Sequence, residues 1–261
     1  NSLCKIEPDC VIHLASYADI GESNEKPDMY YTNNIFSTIN LINAMSKHKI
    51  TKLIFSSSCS VFGNTKKKKI SENHEKNPVS PYAVSKFFCE KIIHDCANKN
   101  KINYLILRYF NAAGCDPESN IGEDPLKSNR IIPRIISTYL KKKRNLFVNG
   151  NNFKTKDGTC VRDYVHVKDV AYAHYQGLKF LKSNKQNECI NIGSGVGSSI
   201  FDIINESKKF FKKNINLKFV KKRFGDADTL VSSINKARKV LDWKPKNSNL
   251  KKIINDTIVW Q

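Results

Sequence analysis

Two segments decide the fold of this chain, Lys52-Leu-Ile-Phe-Ser-Ser-Ser58 and Ser80-Pro-Tyr-Ala-Val-Ser-Lys86. The first predicts a buried strand over Lys52–Ser56, because a short apolar run ends there in small polar residues. In the second, the opening serine can cap a helix whose first residue is the following proline. That helix should run to about Asn98. A buried strand followed by a long helix is typical of parallel strands joined by crossover helices.

The same alternation continues on both sides of these segments. Upstream, Cys10–Ala15 predicts another buried strand, and Pro27 can begin a helix. Apolar residues recur at helical spacing in that helix, at Ile35, Ile39, Ile42 and Met45. Downstream, the predicted strands are Asn103–Arg108, Cys189–Ile192 and Asn216–Val220, and the predicted helices are Arg130–Lys142, Val167–Leu181, Ser198–Lys212 and Ser232–Leu241. This order predicts an α/β fold with a doubly wound parallel sheet.

Net charge is the most unusual bulk property, since the 261 residues carry a formal charge of +20. Nucleic-acid binding is the obvious hypothesis for such a chain. However, the basic runs Lys66–Lys69 and Lys141–Arg144 are short and contain no aromatic residues that could stack on bases. We therefore interpret the charge as a solvated basic surface and expect no nucleic-acid partner. The positive field would still attract a dianionic nucleotide substrate.

The distribution of apolar residues, cysteines and histidines argues against a membrane protein and against a metal-binding protein. No stretch approaches the roughly 18–20 consecutive apolar residues of a membrane span, so no membrane association is predicted. The eight cysteines include no Cys-x-x-Cys pair and the six histidines no His-x-x-x-His pair, so no metal site is predicted. We interpret the thiols as reduced and expect a cytoplasmic protein.

Tyr82 and Lys86 lie four residues apart on the predicted helix and therefore share one of its faces. A free tyrosine has a pKa of about 10, and a neighbouring ammonium group should lower that pKa toward the range of a general base. Taken alone, the Tyr-x-x-x-Lys spacing fits an ordinary helix equally well. Ser58 changes this balance, because it ends a strand at the edge where doubly wound folds bind ligands. The three side chains predict a site that removes a proton from a substrate hydroxyl.

Specific motifs occur along nearly the whole chain. The most specific is Gly158-Thr-Cys-Val-Arg-Asp-Tyr-Val-His-Val167. The others are Val11-Ile-His-Leu-Ala, Gly21-Glu-Ser, Lys26-Pro, Tyr30-Tyr, Asn33-Asn, Phe55-Ser-Ser-Ser, Ser80-Pro-Tyr, Leu107-Arg-Tyr-Phe-Asn, Gly122-Glu-Asp-Pro, Asn191-Ile-Gly-Ser-Gly and Gly225-Asp. Together they resemble the extended short-chain dehydrogenase/reductase superfamily and, within it, the UDP-glucose 4-epimerases.

This resemblance implies an isomerase that interconverts UDP-glucose and UDP-galactose through a transient 4-keto sugar, with NAD as the bound hydride carrier. It implies catalytic roles for Ser58, Tyr82 and Lys86. The residues that it implies for cofactor binding are Leu14, Ala15, Asn33, Ser56, Lys86 and Phe110. The residues that it implies for UDP-sugar binding are Asn111, Asn129, Arg130, Phe147, Asn149, Arg162, Arg223, Asp226 and Leu230.

The chain departs from the family pattern near its start. The glycine-rich turn that follows the family's first strand and holds the cofactor pyrophosphate is missing, so we expect the chain to begin inside a longer protein. The expected architecture is a Rossmann-type parallel sheet, lacking its N-terminal part, in residues 1–110, to which part of 143–185 returns. A smaller α/β lobe, mainly residues 111–261, should bind the UDP-sugar. Ser16 and Ala18 stand where the family often has Gly and Lys, which removes one cofactor contact.

Several alternatives remain open at this point. Sister enzymes that dehydrate nucleotide sugars carry Asp-Glu directly after the strand-end hydroxyl residue, whereas this chain has Cys59-Ser60, which disfavours dehydration. Leu230 stands where family members often gate the sugar pocket, so a UDP-N-acetylhexosamine or UDP-uronate 4-epimerase stays an alternative. The missing glycine turn leaves room for an inactive pseudoenzyme or binding module. Similar enzymes are commonly homodimers, and the helices at about 28–47 and 81–98 are the expected interface.

Overall fold

The structure is a computed structural model that describes residues 7–65, 69–124, 128–140, 145–183, 186–223 and 225–261. Residues 66–68 of the first basic run and 141–144 of the second lie outside the described residues. In the described part, the strands are β1 (Val11–His13), β2 (Lys52–Ser58), β3 (Asn103–Tyr109), β4 (Asn111–Ala113), β5 (Asn145–Asn149), β6 (Val161–His166), β7 (Glu188–Ile192), β8 (Gly197–Ser199), β9 (Asn216–Val220) and β10 (Thr229–Leu230).

Helices cover both faces of the main sheet and the outside of the second half of the chain. A π-helical turn, Thr32–Phe36, joins two of them, and a 3-10 turn, Cys59–Phe62, directly follows β2. The helices are α1 (Ile20–Glu25), α2 (Pro27–Tyr31), α3 (Ser37–Lys47), α4 (Pro81–Asn100), α5 (Ile131–Leu140), α6 (Val167–Ser183), α7 (Ile200–Phe211), α8 (Asn235–Leu241) and α9 (Leu250–Trp260).

Four parallel strands form the main sheet in the order β1, β2, β3, β7. Strands β2 and β3 pair over their full length, from Lys52 opposite Asn103 to Ser58 opposite Tyr109. Because all four strands point the same way, their carboxyl ends lie along one edge of the sheet. The strands predicted at residues 10–15, 52–56, 103–108 and 189–192 are confirmed, as is the Rossmann-type α/β fold.

Successive residues of β2 face opposite sides of the sheet, and each side is covered by helices. On one side, Ile54 packs in a core with residues of β3, β7 and α6. On the other side, Leu53 and Phe55 pack against Ile42 of α3 and Ile93 of α4. The sheet is therefore doubly wound, and its strands carry near-continuous apolar runs because neither face meets water.

Helix α4 begins where the sequence predicted and carries Tyr82 and Lys86 in its first two turns. The Ser80 hydroxyl accepts a hydrogen bond from the backbone N–H of Ala83 at 3.2 Å, and Pro81 occupies the first helical position. The helix ends after Asn100, where Lys101 adopts a left-handed conformation with φ of 53°. A capped start at the carboxyl edge of the sheet fixes the position of Tyr82 relative to Ser58.

The second half of the chain builds two small sheets around a separate apolar core. Strand β6 pairs with β4 and β10 in parallel and with β8 in antiparallel orientation, and β5 pairs with β9. Isoleucines of α5, α7 and α9 fill the core over these strands. Among the described residues, no helix combines the length and the apolar character that crossing a bilayer requires.

Strands β4, β5, β6, β8 and β10 were not predicted, and two helices of this half also differ from the sequence prediction. Helix α9 was not predicted, although Asn249 caps it and Ile253 and Ile254 are fully buried. The helix predicted over Ser232–Leu241 begins later, at Asn235, because residues 231–233 pair with Ile70 in an extended conformation. The Ile70 N–H donates to the Val231 carbonyl and the Ser233 N–H donates to the Ile70 carbonyl, both at 2.8 Å, so a residue far away in sequence delays the start of the helix.

The division into residues 1–110 and 111–261 stays a prediction. Helix α6, within the predicted returning segment 143–185, packs against β2 and β3. Strand β7 also joins the main sheet by pairing with β3, so residues beyond 185 return to it as well.

A buried ion pair ties α4 to the main sheet. The Glu90 carboxylate accepts hydrogen bonds from Arg108 of β3, at 2.9 Å from Nε and 2.7 Å from Nη2, and another from the Ser57 hydroxyl of β2. Both charged side chains are about 95% buried, with 5% and 6% exposed. Burial acts to lower the pKa of Arg108, but the hydrogen bonds and charge of Glu90 outweigh it and raise that pKa. Glu90 lies four residues after Lys86, so this clamp and the candidate catalytic residues share one helix face.

We predict that Glu90→Gln lowers the free energy of unfolding by about 3 kcal/mol, because it leaves the Arg108 charge buried without a partner. The measurement is urea denaturation followed by circular dichroism. The matched control is Asp95→Asn on the same helix, where the carboxylate and its partner His94 are 64% and 68% exposed. That control should change stability by less than about 0.5 kcal/mol. Equal losses for the two variants would contradict the prediction.

Candidate active site

A cavity of about 650 Å³ opens at the carboxyl edge of the main sheet. Its floor is formed by the end of β2 and the β3–β4 connection, and the start of α4 forms one wall. The opposite wall comes from the second half of the chain, mainly the start of α5, the end of β5 and the residues Arg223, Gly225, Asp226, Ala227 and Leu230. The cavity is thus where the sequence predicted a ligand site.

Most of the predicted site residues line this cavity. They are Leu14, Ser56, Ser58, Tyr82, Lys86, Phe110, Asn111, Asn129, Arg130, Asn149, Arg162, Arg223, Asp226 and Leu230. Ala15, Asn33 and Phe147 are not in the lining: all three are exposed, and Asn33 donates to the neighbouring Asn34 side chain. The proposed roles of these three residues stay predictions.

Ser58 ends β2 and caps the 3-10 turn that follows. Its hydroxyl oxygen accepts hydrogen bonds from the Ser60 backbone N–H at 3.2 Å and from the Ser60 hydroxyl at 3.0 Å. The same side chain acts on the Tyr82 phenol, whose pKa it lowers against the effect of burial, and both residues line the cavity. The end of β2 therefore brings the Ser58 hydroxyl near the phenol that the sequence paired with it.

The Tyr82 phenol is 9% exposed, and its acidity differs from the sequence prediction. Burial raises the pKa of Tyr82 to about 12, and the Ser58 side chain and the charge of Arg130 only partly oppose this. The prediction that a neighbouring Lys86 ammonium group lowers this pKa is wrong. The physical reason is that desolvation of the phenolate dominates.

The Lys86 ammonium group points to the sheet edge rather than to Tyr82. It donates to the Ser56 backbone oxygen at 2.8 Å and lies 5.0 Å from the centre of the Phe55 ring. With only 3% of the residue exposed, burial lowers the pKa of Lys86 to about 8, while Cys89 and Glu90 oppose the shift. Lys86 is therefore a poorly hydrated cation whose remaining donors can bind a ligand in the cavity.

Cys59 and Ser60 occupy the place where a carboxylate pair would support dehydration. Burial raises the pKa of the Cys59 thiol to about 12, so the group stays protonated at neutral pH. The Ser60 hydroxyl is engaged with Ser58. Neither side chain offers a general acid and base near neutrality, which agrees with the sequence argument against dehydration.

Arginine side chains line the wall of the cavity that the second half of the chain forms. Arg162 donates to the Val161 backbone oxygen at 3.0 Å and lies 3.6 Å from an oxygen of Asp226. The Asn149 amide oxygen faces Arg223 and accepts from its Nε at 3.0 Å and its Nη2 at 2.9 Å. Guanidinium groups on a cavity wall suit phosphate oxygens, because they bind them through paired donors.

The remaining predicted residues surround the region between Tyr82 and the arginines. Asn111 donates to the Asp163 backbone oxygen at 3.2 Å, and Asn129 donates to an Asp19 carboxylate oxygen at 3.4 Å. Arg130 lies 3.7 Å from Glu123, and Leu230 is 8% exposed. Among the described residues, no group of three His, Cys, Asp or Glu side chains could hold a metal ion.

Arg134 lines the cavity and was missed by the sequence analysis. It projects from α5, and its Nη2 donates to the Phe147 backbone oxygen at 2.9 Å. The available signal was a single cation within the otherwise apolar run Ile131-Ile-Pro-Arg-Ile-Ile136. That signal is weak, because a lone charged residue in an amphipathic helix usually faces solvent.

Comparison with known proteins places this geometry in a family. The family model described as GDP-mannose 4,6 dehydratase matches residues 1–257. UDP-glucose 4-epimerase of Halalkalibacterium halodurans is 34% identical over 252 residues, which are 97% of this chain and 75% of that protein.

Two solved structures show the same fold. UDP-glucose 4-epimerase from Brucella ovis in complex with NAD is 34% identical with a TM-score of 0.93, covering 98% of this chain and 79% of that one. The Bifidobacterium longum enzyme in complex with NAD+ and UDP is 32% identical with a TM-score of 0.93, covering 100% and 78%. The chain therefore belongs to the UDP-glucose 4-epimerase family of the extended short-chain dehydrogenase/reductase superfamily.

Proposed function

We propose that this protein interconverts UDP-glucose and UDP-galactose by inverting the sugar at C4, with NAD as its cofactor. One observation carries the proposal: the hydroxyls of Ser58 and Tyr82 and the guanidinium groups of Arg162 and Arg223 line one cavity. A hydroxyl pair suits proton removal from an alcohol, and the arginines suit a diphosphate. The family membership and the NAD complexes of related enzymes support the same activity.

The cavity residues fit a dinucleotide cofactor. Lys86 is a buried cation with one hydrogen bond to the Ser56 carbonyl, so its other donors are available to ribose hydroxyls. Leu14 is 58% exposed at the carboxyl end of β1, and an apolar side chain there suits a planar ring. Phe110, and by resemblance Ala15 and Asn33, would complete this part of the site. Bound NAD would accept a hydride from C4 of the sugar and later return it to the opposite face.

Tyr82 is the proposed general base and acid. Ser58 would bridge its phenol and the sugar 4-hydroxyl, so that the hydroxyl proton passes to Tyr82 as the C4–H bond breaks. Because burial raises the pKa of Tyr82 to about 12, the phenol needs an added positive charge in the cavity before it can act near neutrality. After the keto sugar turns over, Tyr82 returns the proton to the C4 oxygen, and the net reaction is an isomerisation.

Arg162, Arg223 and Asp226 are proposed to anchor the UDP portion while the sugar turns. The two guanidinium groups would hold the diphosphate, and Asp226 could accept from a ribose hydroxyl. Asn111, Asn129, Arg130, Phe147, Asn149 and Leu230 are proposed to complete the UDP-sugar site. Holding the nucleotide fixed is what lets one sugar present either face of C4 to the same hydride carrier.

We also propose a cytoplasmic homodimer. Every cysteine among the described residues is a free thiol, as expected in a reducing compartment. The turn Thr32–Phe36 packs against α4, and these neighbouring elements expose Phe36 and Phe88, at 59% and 51%. Two exposed aromatic side chains on adjacent helical elements suit a self-complementary interface.

We predict that Tyr82→Phe lowers the turnover of UDP-galactose by about 10²–10⁴-fold, because the variant lacks the group that exchanges the proton. The coupled assay should be run with NAD added, alongside a direct titration with UDP-galactose. Binding should change little, since the phenol is not part of the UDP anchor. Tyr172→Phe is the control, because Tyr172 is 38% exposed on α6, outside the cavity. Near-normal turnover of Tyr82→Phe would overturn the assignment.

Arg162→Ala should raise the KM for UDP-galactose roughly 10- to 100-fold and change kcat much less, because a charged hydrogen bond is lost from the anchor rather than from the chemical step. Steady-state kinetics separates the two constants. Arg238→Ala, at an exposed position of α8, should leave both unchanged. A drop in kcat with KM unaffected would place Arg162 in the chemical step instead.

The dimer proposal predicts that Phe88→Asp converts the protein from dimer to monomer, because a charge placed in an apolar interface loses its hydration. Sedimentation equilibrium measures the mass directly. Val259→Asp is the matched control, since Val259 is 65% exposed on α9. A monomeric wild-type protein, or a monomer from both variants, would contradict the proposed interface.

A further inference from the structure

The arginines that line the cavity fall into two electrostatic classes. Arg162 faces the carboxylate of Asp226 at 3.6 Å, and Arg130 faces that of Glu123 at 3.7 Å. A bound phosphate gains less from a guanidinium that already has an acidic partner, because the partner's charge offsets the attraction. These two arginines therefore add little net charge to the cavity.

Arg134 and Arg223 form the second class. Arg134 donates to the Phe147 backbone oxygen and Arg223 to the Asn149 amide oxygen, and both acceptors are neutral. Across the described residues, neither guanidinium group makes an ion pair with a carboxylate. Their acceptors come from the same strand, β5, two residues apart, so both cations stand at the same end of the cavity.

These two cations also act on each other. Burial, and after it the charge of Arg223, lowers the pKa of Arg134. Like charges brought together at a partly desolvated wall are unfavourable unless an anion binds with them. A guanidinium group has five N–H donors, so the contact with Phe147 leaves Arg134 able to bind a further acceptor.

We propose that Arg134 binds the diphosphate of the UDP-sugar together with Arg223. The uncompensated charges of Arg134 and Arg223 match the doubly charged diphosphate, whereas the ion-paired Arg162 contributes hydrogen bonds that position it. This inference rests on the proposed function for the identity of the nucleotide. Arg134 thereby becomes a substrate-binding residue that the family motifs do not mark.

Calorimetric titration of the full chain with UDP and with uridine tests the proposal. We expect Arg134→Ala to weaken UDP binding roughly 10- to 100-fold and uridine binding less than about twofold. Arg134→Lys keeps the charge without the paired donors and should lie between wild type and alanine. Arg238→Ala, on the surface of α8, should bind both ligands like the wild type. A thermal unfolding scan of each variant checks that the fold is intact.

The outcomes separate this proposal from the function itself. If Arg134→Ala binds UDP as tightly as the wild type does, Arg134 does not bind the diphosphate. If the variant loses equal affinity for uridine and for UDP, the proposal is also overturned, and Arg134 contacts the base or the ribose instead. A wild-type protein that binds UDP with the expected arginine dependence but does not epimerise UDP-galactose overturns only the proposed function. A wild-type protein that does not bind UDP overturns both.

Discussion

The arrangement of this protein depends on one face of helix α4. Tyr82, Lys86 and Glu90 follow each other at intervals of four residues, so a single helical face carries a phenol, an ammonium group and a carboxylate toward the main sheet. Glu90 binds Arg108 of β3 and Ser57 of β2, and Lys86 binds the backbone of Ser56. These contacts set the helix against the carboxyl ends of β2 and β3, which is what brings Tyr82 to Ser58.

The clamp also explains the acidity of the site. The same packing that orients Tyr82 and Lys86 removes both from water, and removal from water disfavours the charged form of each. The pKa of Tyr82 therefore rises while that of Lys86 falls. A general base needs a lowered pKa and a permanent cation needs a raised one, so both pKa shifts oppose the proposed roles of Tyr82 and Lys86.

Much of the fold follows from local patterns in the chain. Apolar runs ending in small polar residues located the strands of the main sheet, and Ser80-Pro81 located the start of α4, because both signals arise from interactions within a few residues. The features that the sequence did not predict arise instead from contacts between distant parts of the chain. Ser232 lies outside its predicted helix because residues 231–233 pair with Ile70, which is distant in sequence. Arg134 was overlooked because its partners, the Phe147 carbonyl and the charge of Arg223, lie on other elements.

The sequence by itself determined the Rossmann-type α/β fold and the family, and it predicted the Ser58, Tyr82 and Lys86 set, because periodicity, caps and contiguous motifs are all short-range information. Only the tertiary structure decided in which direction the pKa values of Tyr82 and Lys86 shift and which arginines of the cavity have no carboxylate partner. Lys86 donates a hydrogen bond to the Ser56 carbonyl. Arg162 and Arg130 each face a carboxylate, whereas, among the described residues, Arg134 and Arg223 do not. The physical reason is that burial and charge pairing are sums over neighbours from distant parts of the chain, and those neighbours are assigned only when the strands and helices pack.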